Sequence, residues 1–291
     1  MPFDAHCHAV KDLSSLLNEE LQYVAIMATT PEENQRLLNL PKNPNILIGL
    51  GMHPWLVDAN KFIEEDYIKY LDSCKFDFVG EIGIDKVATD KEGKKYNWDK
   101  QAEVFEKIFI LACKYQLPVS IHCARAYGYI CEFFKSLECI DDTISKRQRK
   151  KLDIEHYGTS SSEDEYDLEN HLKLCKSRLC HNNCKITPKI MMHSYSGSPE
   201  TSSLLSNLTF GSNFYFSFSA VINRRSMKKF ENAVKSVPVD RILLESDVDK
   251  SEEIIPFMNE IVEMMATVLN LDQMKIREIG LGNGKEFYGI K

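Results

Sequence analysis

The stretch Phe3-Asp4-Ala5-His6-Cys7-His8 opens the sequence with a short run of strand-forming residues that carries two histidines one residue apart. Seven more short apolar or β-branched runs follow along the chain, each separated from the next by a longer stretch. The eight runs cover residues 3–8, 23–28, 46–52, 78–84, 118–122, 189–193, 214–218 and 242–245. They predict eight strands.

Most of the stretches between these runs have helical character. Residues 31–40 begin with Pro31 at the first helical position, with Thr30 as the N-cap and Glu33 three residues after the cap. Apolar residues recur at spacings of three and four from Trp98 to Tyr115, from Met227 to Val237 and from Met258 to Val268, which predicts buried helix faces. Strands that alternate with helices indicate parallel β-α-β units, and eight of them predict a closed (β/α)8 TIM barrel. An open doubly wound sheet is the alternative.

One segment, residues 138–187, interrupts this alternation with no clear strand or helix period. We interpret it as an insertion between strands 5 and 6, partly disordered, in a single barrel domain that spans residues 1–291. Without it the chain has 241 residues, close to the roughly 250 of one barrel. The segment contains a basic run, 146–151, and a serine and acid tract, 160–165. It also has four residues of metal-ligand type whose spacing fits zinc knuckles poorly: Cys175, Cys180, His181 and Cys184.

The composition restricts the partners and the compartment. A net charge of −7 argues against a broad surface that grips duplex DNA and leaves room for a local anion site. Nine cysteines, several of them in apolar runs, and the lack of a basic segment followed by an apolar one predict a reduced, cytoplasmic protein, with the nucleus as the alternative. No apolar stretch approaches 18 residues, so we expect no membrane association.

Residues that can bind a metal gather at the carboxyl ends of the predicted strands, which converge on one mouth of a barrel. Six candidates follow this pattern: His6, His8, Glu81, His122, His193 and Asp247. Each alone has an ordinary structural explanation, such as a hydrogen-bonded histidine or a turn cap, but their shared position favours a metal site. Mixed imidazole and carboxylate ligands suit zinc, manganese, iron or cobalt, and magnesium where carboxylates and water dominate. Six ligands exceed the need of one tetrahedral ion, which favours two ions bridged by Glu81.

Seven motifs extend this pattern along the whole chain outside 138–187. They are Phe3-Asp4-Ala5-His6-Cys7-His8, Gly51-Met52-His53-Pro54, Gly80-Glu81-Ile82-Gly83-Ile84-Asp85, Ile121-His122-Cys123-Ala124-Arg125-Ala126, His193-Ser194-Tyr195-Ser196-Gly197-Ser198, Glu245-Ser246-Asp247, and Asn283 with Phe287. In these motifs and their order the chain resembles the TatD family of metal-dependent deoxyribonucleases. The resemblance implies a TIM barrel with two divalent ions (magnesium, manganese or zinc) that cleaves phosphodiesters at DNA strand ends, commonly from the 3′ end of a single strand.

The resemblance also implies roles for particular residues. His6 and His8 match ligands of a first ion, Glu81 the bridging carboxylate, and His122 and His193 ligands of a second ion. Asp247 matches an aspartate that binds metal and acts as the base for water.

Four further residues are candidates for substrate binding. His53 matches a histidine near the substrate, with a rigid turn before Pro54 as the structural alternative. Arg125 can clamp a phosphate with its guanidinium, or form a structural salt bridge. Ser196 and Gly197 lie in a turn that can present backbone N–H groups to an anion.

The sequence departs from the family pattern in three places, one of which is the insertion of residues 138–187 between His122 and His193. Ser246 replaces the usual threonine but keeps the hydroxyl, and residues 248–250 replace a loop that shapes the mouth in relatives. Two alternatives to a DNase therefore stay open. One is a metal-dependent hydrolase of a non-nucleotide substrate. The other is an interaction protein that keeps the barrel as a scaffold and contacts a protein partner through residues 138–187, because some fungal family members are known as Cut9-interacting proteins.

Overall fold

The computed structural model describes residues 3–8, 21–59, 62–137 and 188–291. Within them, eight parallel strands pair in sequence order, from the first to the eighth. The strands are β1 Phe3–Cys7, β2 Tyr23–Met27, β3 Ile46–Leu50, β4 Phe78–Asp85, β5 Val119–Ala124, β6 Ile190–Met192, β7 Phe214–Ser219 and β8 Ile242–Glu245. All eight predicted strands are confirmed, with ends that differ by at most two residues.

Hydrogen bonds where the first and last strands end close the sheet into a barrel. The backbone N–H of Asp247 donates to the carbonyl of His6 at 3.0 Å, and that of His8 donates to the carbonyl of Val248 at 2.8 Å. Asp4 of β1 reinforces this seam, because its carboxylate accepts hydrogen bonds from the backbone N–H and the hydroxyl of Ser246, at 2.9 and 2.6 Å. The predicted TIM barrel is therefore confirmed, and the open sheet is excluded. Serine at position 246 keeps the hydroxyl that this seam uses.

Helices follow most of the strands. The described helices are α1 Pro31–Leu38, α2 Glu64–Asp72, α3 Trp98–Tyr115, α4 Tyr127–Leu137, α5 Pro199–Ser206, α6 Ala220–Asn223, α7 Met227–Lys235, α8 Ser251–Leu269 and α9 Gln273–Tyr288. At the start of α1, Thr30 caps the backbone N–H of Glu33, and the Glu33 carboxylate accepts from the backbone N–H of Thr29 rather than from that of Thr30. The predicted helix is confirmed, although it ends two residues early. The prediction that Met227 is buried was wrong: it is 47% exposed in the first turn of α7.

Two apolar cores hold the barrel together. The larger one lies between the strands and the surrounding helices. The smaller one includes side chains from seven of the eight strands and Phe287 of α9, so it fills the barrel interior: Phe3, Ala5, Ala25, Met27, Leu47, Phe78, Met191, Tyr215, Leu243 and Phe287. Asn283 of α9 donates to the carbonyls of Val239 and Ile242, at 2.8 and 2.7 Å. These two residues of the last motif are thus structural, since they anchor α9 at the amino-terminal end of β8.

The segment 138–187 lies outside the described residues. The basic run 146–151, the tract 160–165 and the cluster from Cys175 to Cys184 lie in it and remain predictions. In the described part of the chain, no single helix is long and apolar enough to cross a membrane; α8 and α9, bent by 107°, reach the threshold of length and composition only as a pair.

Candidate metal centre

The barrel brings the six predicted ligands to one mouth. β1 supplies His6 and ends just before His8, while β4 and β5 supply Glu81 and His122. His193 directly follows β6, and Asp247 lies two residues beyond β8. These positions come from five segments of the chain and meet only because neighbouring parallel strands end on the same side.

One group of donors surrounds a single oxygen of Glu81. Glu81 Oε2 lies 3.4 Å from His6 Nε2 and 3.2 Å from His8 Nε2, and these two nitrogens are 3.1 Å apart. Asp247 Oδ1 completes the group at 3.7 Å from His8 Nε2. Four donor atoms of mixed imidazole and carboxylate type therefore converge on one point.

A second group surrounds the other oxygen of Glu81. Glu81 Oε1 lies 2.8 Å from both His122 Nδ1 and His193 Nε2, which are 3.1 Å apart. His53 Nε2 is 3.4 Å from the same oxygen. Glu81 thus joins the two groups, with one carboxylate oxygen facing each.

The chemistry of the two groups fits a bound cation. Glu81 is only 1% exposed, and its Oε2 atom has no hydrogen-bond partner among the described residues. Burying such an atom without compensation is unfavourable, and so is holding two imidazole lone pairs close together. A divalent ion removes both costs, and short donor distances between buried histidines and a carboxylate are what a metal site requires.

Hydrogen bonds behind the donors orient two of the imidazole rings. His6 Nδ1 lies 2.9 Å from the hydroxyl of Ser120, which leaves Nε2 for the centre. His122 has the opposite orientation: its Nε2 lies 3.4 Å from Asp85 Oδ2, which leaves Nδ1 for the centre. Such outer contacts fix the tautomer of a metal-binding histidine. We infer that Ser120 and Asp85 set which nitrogen of each ring faces Glu81.

Asp85 also holds an aromatic ring at the mouth. Its Oδ2 accepts a hydrogen bond from Trp55 Nε1 at 2.7 Å, and its Oδ1 accepts from the backbone N–H of Val87 at 2.8 Å. Trp55 is 44% exposed although its indole N–H is bonded within the protein. A rigid aromatic face therefore lies beside the donors.

His53 lies close enough to Glu81 and His122 to share a metal ion, and its ring is also oriented to donate a proton. Its Nδ1 accepts a hydrogen bond from the backbone N–H of Trp55 at 3.2 Å, so in the neutral ring the proton lies on Nε2. Burial lowers the pKa of His53 and keeps the ring neutral near pH 7. Its Nε2–H faces Glu81 and can donate to an anion bound at the mouth.

Asp247 has a strained backbone that aims its carboxylate inward. Its φ is 57° and that of Ser194 is 42°, both in the left-handed region that residues other than glycine rarely adopt. The hydroxyl of Ser194 lies 2.8 Å from Asp247 Oδ2 and 2.8 Å from Glu245 Oε1, and the Ser194 N–H donates to the same Glu245 oxygen. These contacts hold the two residues in place, as is common for strained backbone at functional sites.

A cavity of about 1100 Å³ opens from the metal centre toward the ends of β5, β6 and β7. The four predicted substrate-binding residues His53, Arg125, Ser196 and Gly197 all line it. Arg125 is exposed at the wall and takes a left-handed conformation with φ 53°. The Ser196 N–H donates to the hydroxyl of Tyr127 at 3.2 Å, so this particular N–H is already engaged within the protein.

Opposing effects set the pKa of His8 when no metal is bound. Burial lowers it, but the carboxylates of Asp247 and Glu81 raise it to about 10. A histidine pKa that is higher in the folded state contributes stability below pH 6.5, and this contribution is lost as the pH rises toward 10. In chelator-treated protein, we therefore expect the free energy of unfolding to fall between pH 6.5 and 10.

Urea unfolding followed by tryptophan fluorescence measures this decline. His8→Gln lacks the titrating ring and should show a shallower fall over the same range. An equal decline in both proteins would contradict the assignment to His8.

Comparisons with known proteins agree with this geometry. Residues 3–289 match the family model described as TatD related DNase. The chain is 26% identical to the Cut9-interacting protein scn1 of Schizosaccharomyces pombe, over 90% of this chain and 91% of that protein. It is 24% identical to the uncharacterized metal-dependent hydrolase YabD of Bacillus subtilis, over 85% and 80% of the two chains.

Solved structures share the fold. The TatD homologue YjjV of Escherichia coli superposes with a TM-score of 0.65 at 17% identity, over 99% of this chain and 98% of that one. A TatD family hydrolase of Entamoeba histolytica gives 0.63 at 13% identity, over 100% and 99%. The fold and the donor set define a metal-dependent hydrolase. The chain belongs to the TatD-related DNase family, which covers nearly its whole length.

Sequence reasoning missed several residues that shape the site. Trp55 follows the His-Pro pair, but no pattern indicates that its ring is held at the mouth by Asp85. Ser120 is one of many serines, and only its alternation with His122 along β5 could have placed it near the centre. Arg225 and Lys229 belong to a charged stretch of sequence that is typical of a solvated surface, yet both line the cavity.

Proposed function

We propose that this protein is a metal-dependent deoxyribonuclease that binds two divalent ions (magnesium, manganese or zinc) and removes nucleotides from the 3′ end of single strands. The observation that carries the proposal is the position of Glu81, whose two oxygens each face a separate group of donors. This is the arrangement expected of a bridging carboxylate in a two-ion phosphodiesterase.

The protein's own residues can supply a base for the water, a proton donor for the leaving oxygen and a cation for the phosphate. When bound, divalent ions would polarise a phosphodiester and lower the pKa of a bound water molecule toward about 7. Asp247, 12% exposed and directed at the first group, is suited to accept the proton of the attacking water. His53, neutral with Nε2–H directed inward, is suited to donate to the leaving oxygen. Arg125 at the cavity wall offers a planar fork to a phosphate.

The preference for strand ends is supported by shape and charge. The donors lie in a cavity rather than on an open face, and the protein carries a net charge of −7. A long duplex would meet an acidic surface over most of its contact, whereas a strand end needs only the cavity.

A pair of end-labelled single strands tests this function. With magnesium or manganese, a strand labelled at the 3′ end should lose its label in the first product, and a strand labelled at the 5′ end should shorten stepwise. EDTA should stop both reactions, and His122→Ala should lower the rate at least about 100-fold. Arg241→Ala, which removes a surface cation paired with Asp240 outside the cavity, is the control. Cleavage that persists in His122→Ala would contradict the proposal.

A second candidate is a protein-binding role through residues 138–187. Its support is the name of the fungal relative scn1, which describes that protein as interacting with Cut9. Deleting 138–187 should abolish capture of a protein partner while leaving metal content intact, because α4 ends at Leu137 and β6 begins at Ile190. Hydrolysis of a non-nucleotide substrate, the alternative raised by residues 248–250, would appear as turnover of esters or amides that exceeds turnover of DNA.

A further inference from the structure

Two cations outside every family motif line the cavity beside the metal donors. Arg225 lies between α6 and α7, and Lys229 lies in the first turn of α7. Both side chains are exposed, and both belong to the lining of the cavity that contains the metal centre and Arg125. The cavity therefore has a basic wall, which we define as Arg125, Arg225 and Lys229.

The charges of this basic wall are uncompensated within the described residues, where none of the three has an ion-pair partner. Two nearby cations are paired: Arg224 lies 3.2 Å from Glu260, and Lys235 lies 2.5 Å from Glu231. The carboxylates inside the cavity are also accounted for, since Glu81 and Asp247 face imidazoles and Asp85 faces Trp55 and His122. An acidic protein that leaves three unpaired cations on one cavity wall presents a local site for anions.

We propose that Arg225 and Lys229 bind backbone phosphates of a nucleic acid strand, upstream of the phosphodiester held at the metal centre. This inference rests on the proposed function and specifies its substrate as a strand with several phosphates rather than a mononucleotide or a small diester. The size of the cavity supports it, because about 1100 Å³ slightly exceeds the usual range for a small-molecule site. The contact is independent of base sequence, as phosphate contacts are.

The position of Arg225 and Lys229 should make them matter for oligonucleotides but not for small diesters. A small diester needs only the metal centre with His53 and Arg125, which the proposed function assigns to a single phosphodiester. A strand that extends outward along the wall also meets Arg225 and Lys229. Removing both cations should therefore weaken the use of oligonucleotides and leave the hydrolysis of small diesters unchanged.

The decisive comparison uses two double variants with the same change in charge. Arg225→Ala/Lys229→Ala removes the cations of the wall. Arg224→Ala/Lys228→Ala removes their sequence neighbours, which are exposed but do not line the cavity. Each is assayed with a 12-nucleotide single strand and with bis(p-nitrophenyl) phosphate, which carries a single phosphate.

For the wall variant, we expect kcat/KM on the oligonucleotide to fall at least about tenfold, mainly through KM, with hydrolysis of the small diester within about twofold of wild type. The salt dependence of oligonucleotide binding should also weaken, by roughly 0.7 in the log–log slope for each phosphate that the variant no longer neutralises. The control variant should match wild type in both assays. Equal losses in the two variants, or an equal loss on both substrates, would overturn the proposal.

A binding measurement separates this inference from the proposed function. Fluorescence anisotropy of a labelled single strand, recorded with Ca²⁺ and no turnover, reports on the wall without requiring hydrolysis. Weaker binding by the wall variant than by the control supports phosphate binding by Arg225 and Lys229, even if wild type cleaves no DNA. Equal affinity of the two variants contradicts it even if wild type is an active DNase.

Discussion

Glu81→Gln is expected to empty the metal centre and reduce the proposed phosphodiester hydrolysis by at least about 1000-fold. The carboxylate shares its two oxygens between two groups of donors, at 2.8 Å from His122 and His193 and at 3.2 Å from His8. Glutamine keeps the shape but loses the negative charge, and its NH₂ group turns a donor toward one of the two groups. Both groups should therefore bind metal more weakly, which elemental analysis of the purified protein measures directly.

Glu106→Gln is the matched control. Glu106 is also a buried carboxylate, on α3, where it accepts a hydrogen bond from the hydroxyl of Tyr129, and it does not line the cavity. Its replacement should change stability at most and leave the metal content at the wild-type value. Wild-type metal content in Glu81→Gln would show that Glu81 does not bridge two ions. A comparable loss of metal in both variants would point to a general effect on folding.

Gly83→Ala should destabilise the protein strongly, with a loss of roughly 3 kcal/mol in the free energy of unfolding. Gly83 adopts a φ of 151°, which side-chain-bearing residues rarely adopt. A Cβ atom at this position would lie 2.0 Å from the carbonyl oxygen of His122, a contact with backbone that a rotamer change cannot relieve. β4 and β5 would have to separate beside a metal donor, so metal content should fall as well.

Gly128→Ala provides the comparison for this variant. Gly128 lies in the first turn of α4, and a Cβ atom there would meet nothing within 4 Å. Alanine in a helix is favoured over glycine, so this variant should be as stable as wild type or more stable by up to about 1 kcal/mol. Chemical denaturation of the two variants in parallel measures the difference. Equal stability would show that the barrel tolerates a side chain at the β4–β5 contact.

The strand pattern made the fold predictable because the barrel is built from local units. A buried parallel strand is a short apolar run, and this signal does not depend on what the run packs against. Strand ends were less predictable: β5 continues two residues past His122, since hydrogen bonding to β4 extends to Ala124. The exposure of Met227 also escaped the pattern, because the first turn of a helix need not follow the stripe of its later turns.

The sequence alone determined the kinds of ligand and their positions at strand ends, because both depend only on residue type and on the direction of the chain. Tertiary structure decided how they are used. It divided the donors between the two oxygens of Glu81 and placed Ser120 behind His6, from which it is 114 residues distant. It also turned Arg225 and Lys229 into the wall of the cavity. These features depend on side chains from distant segments meeting in three dimensions, which no local pattern of residues encodes.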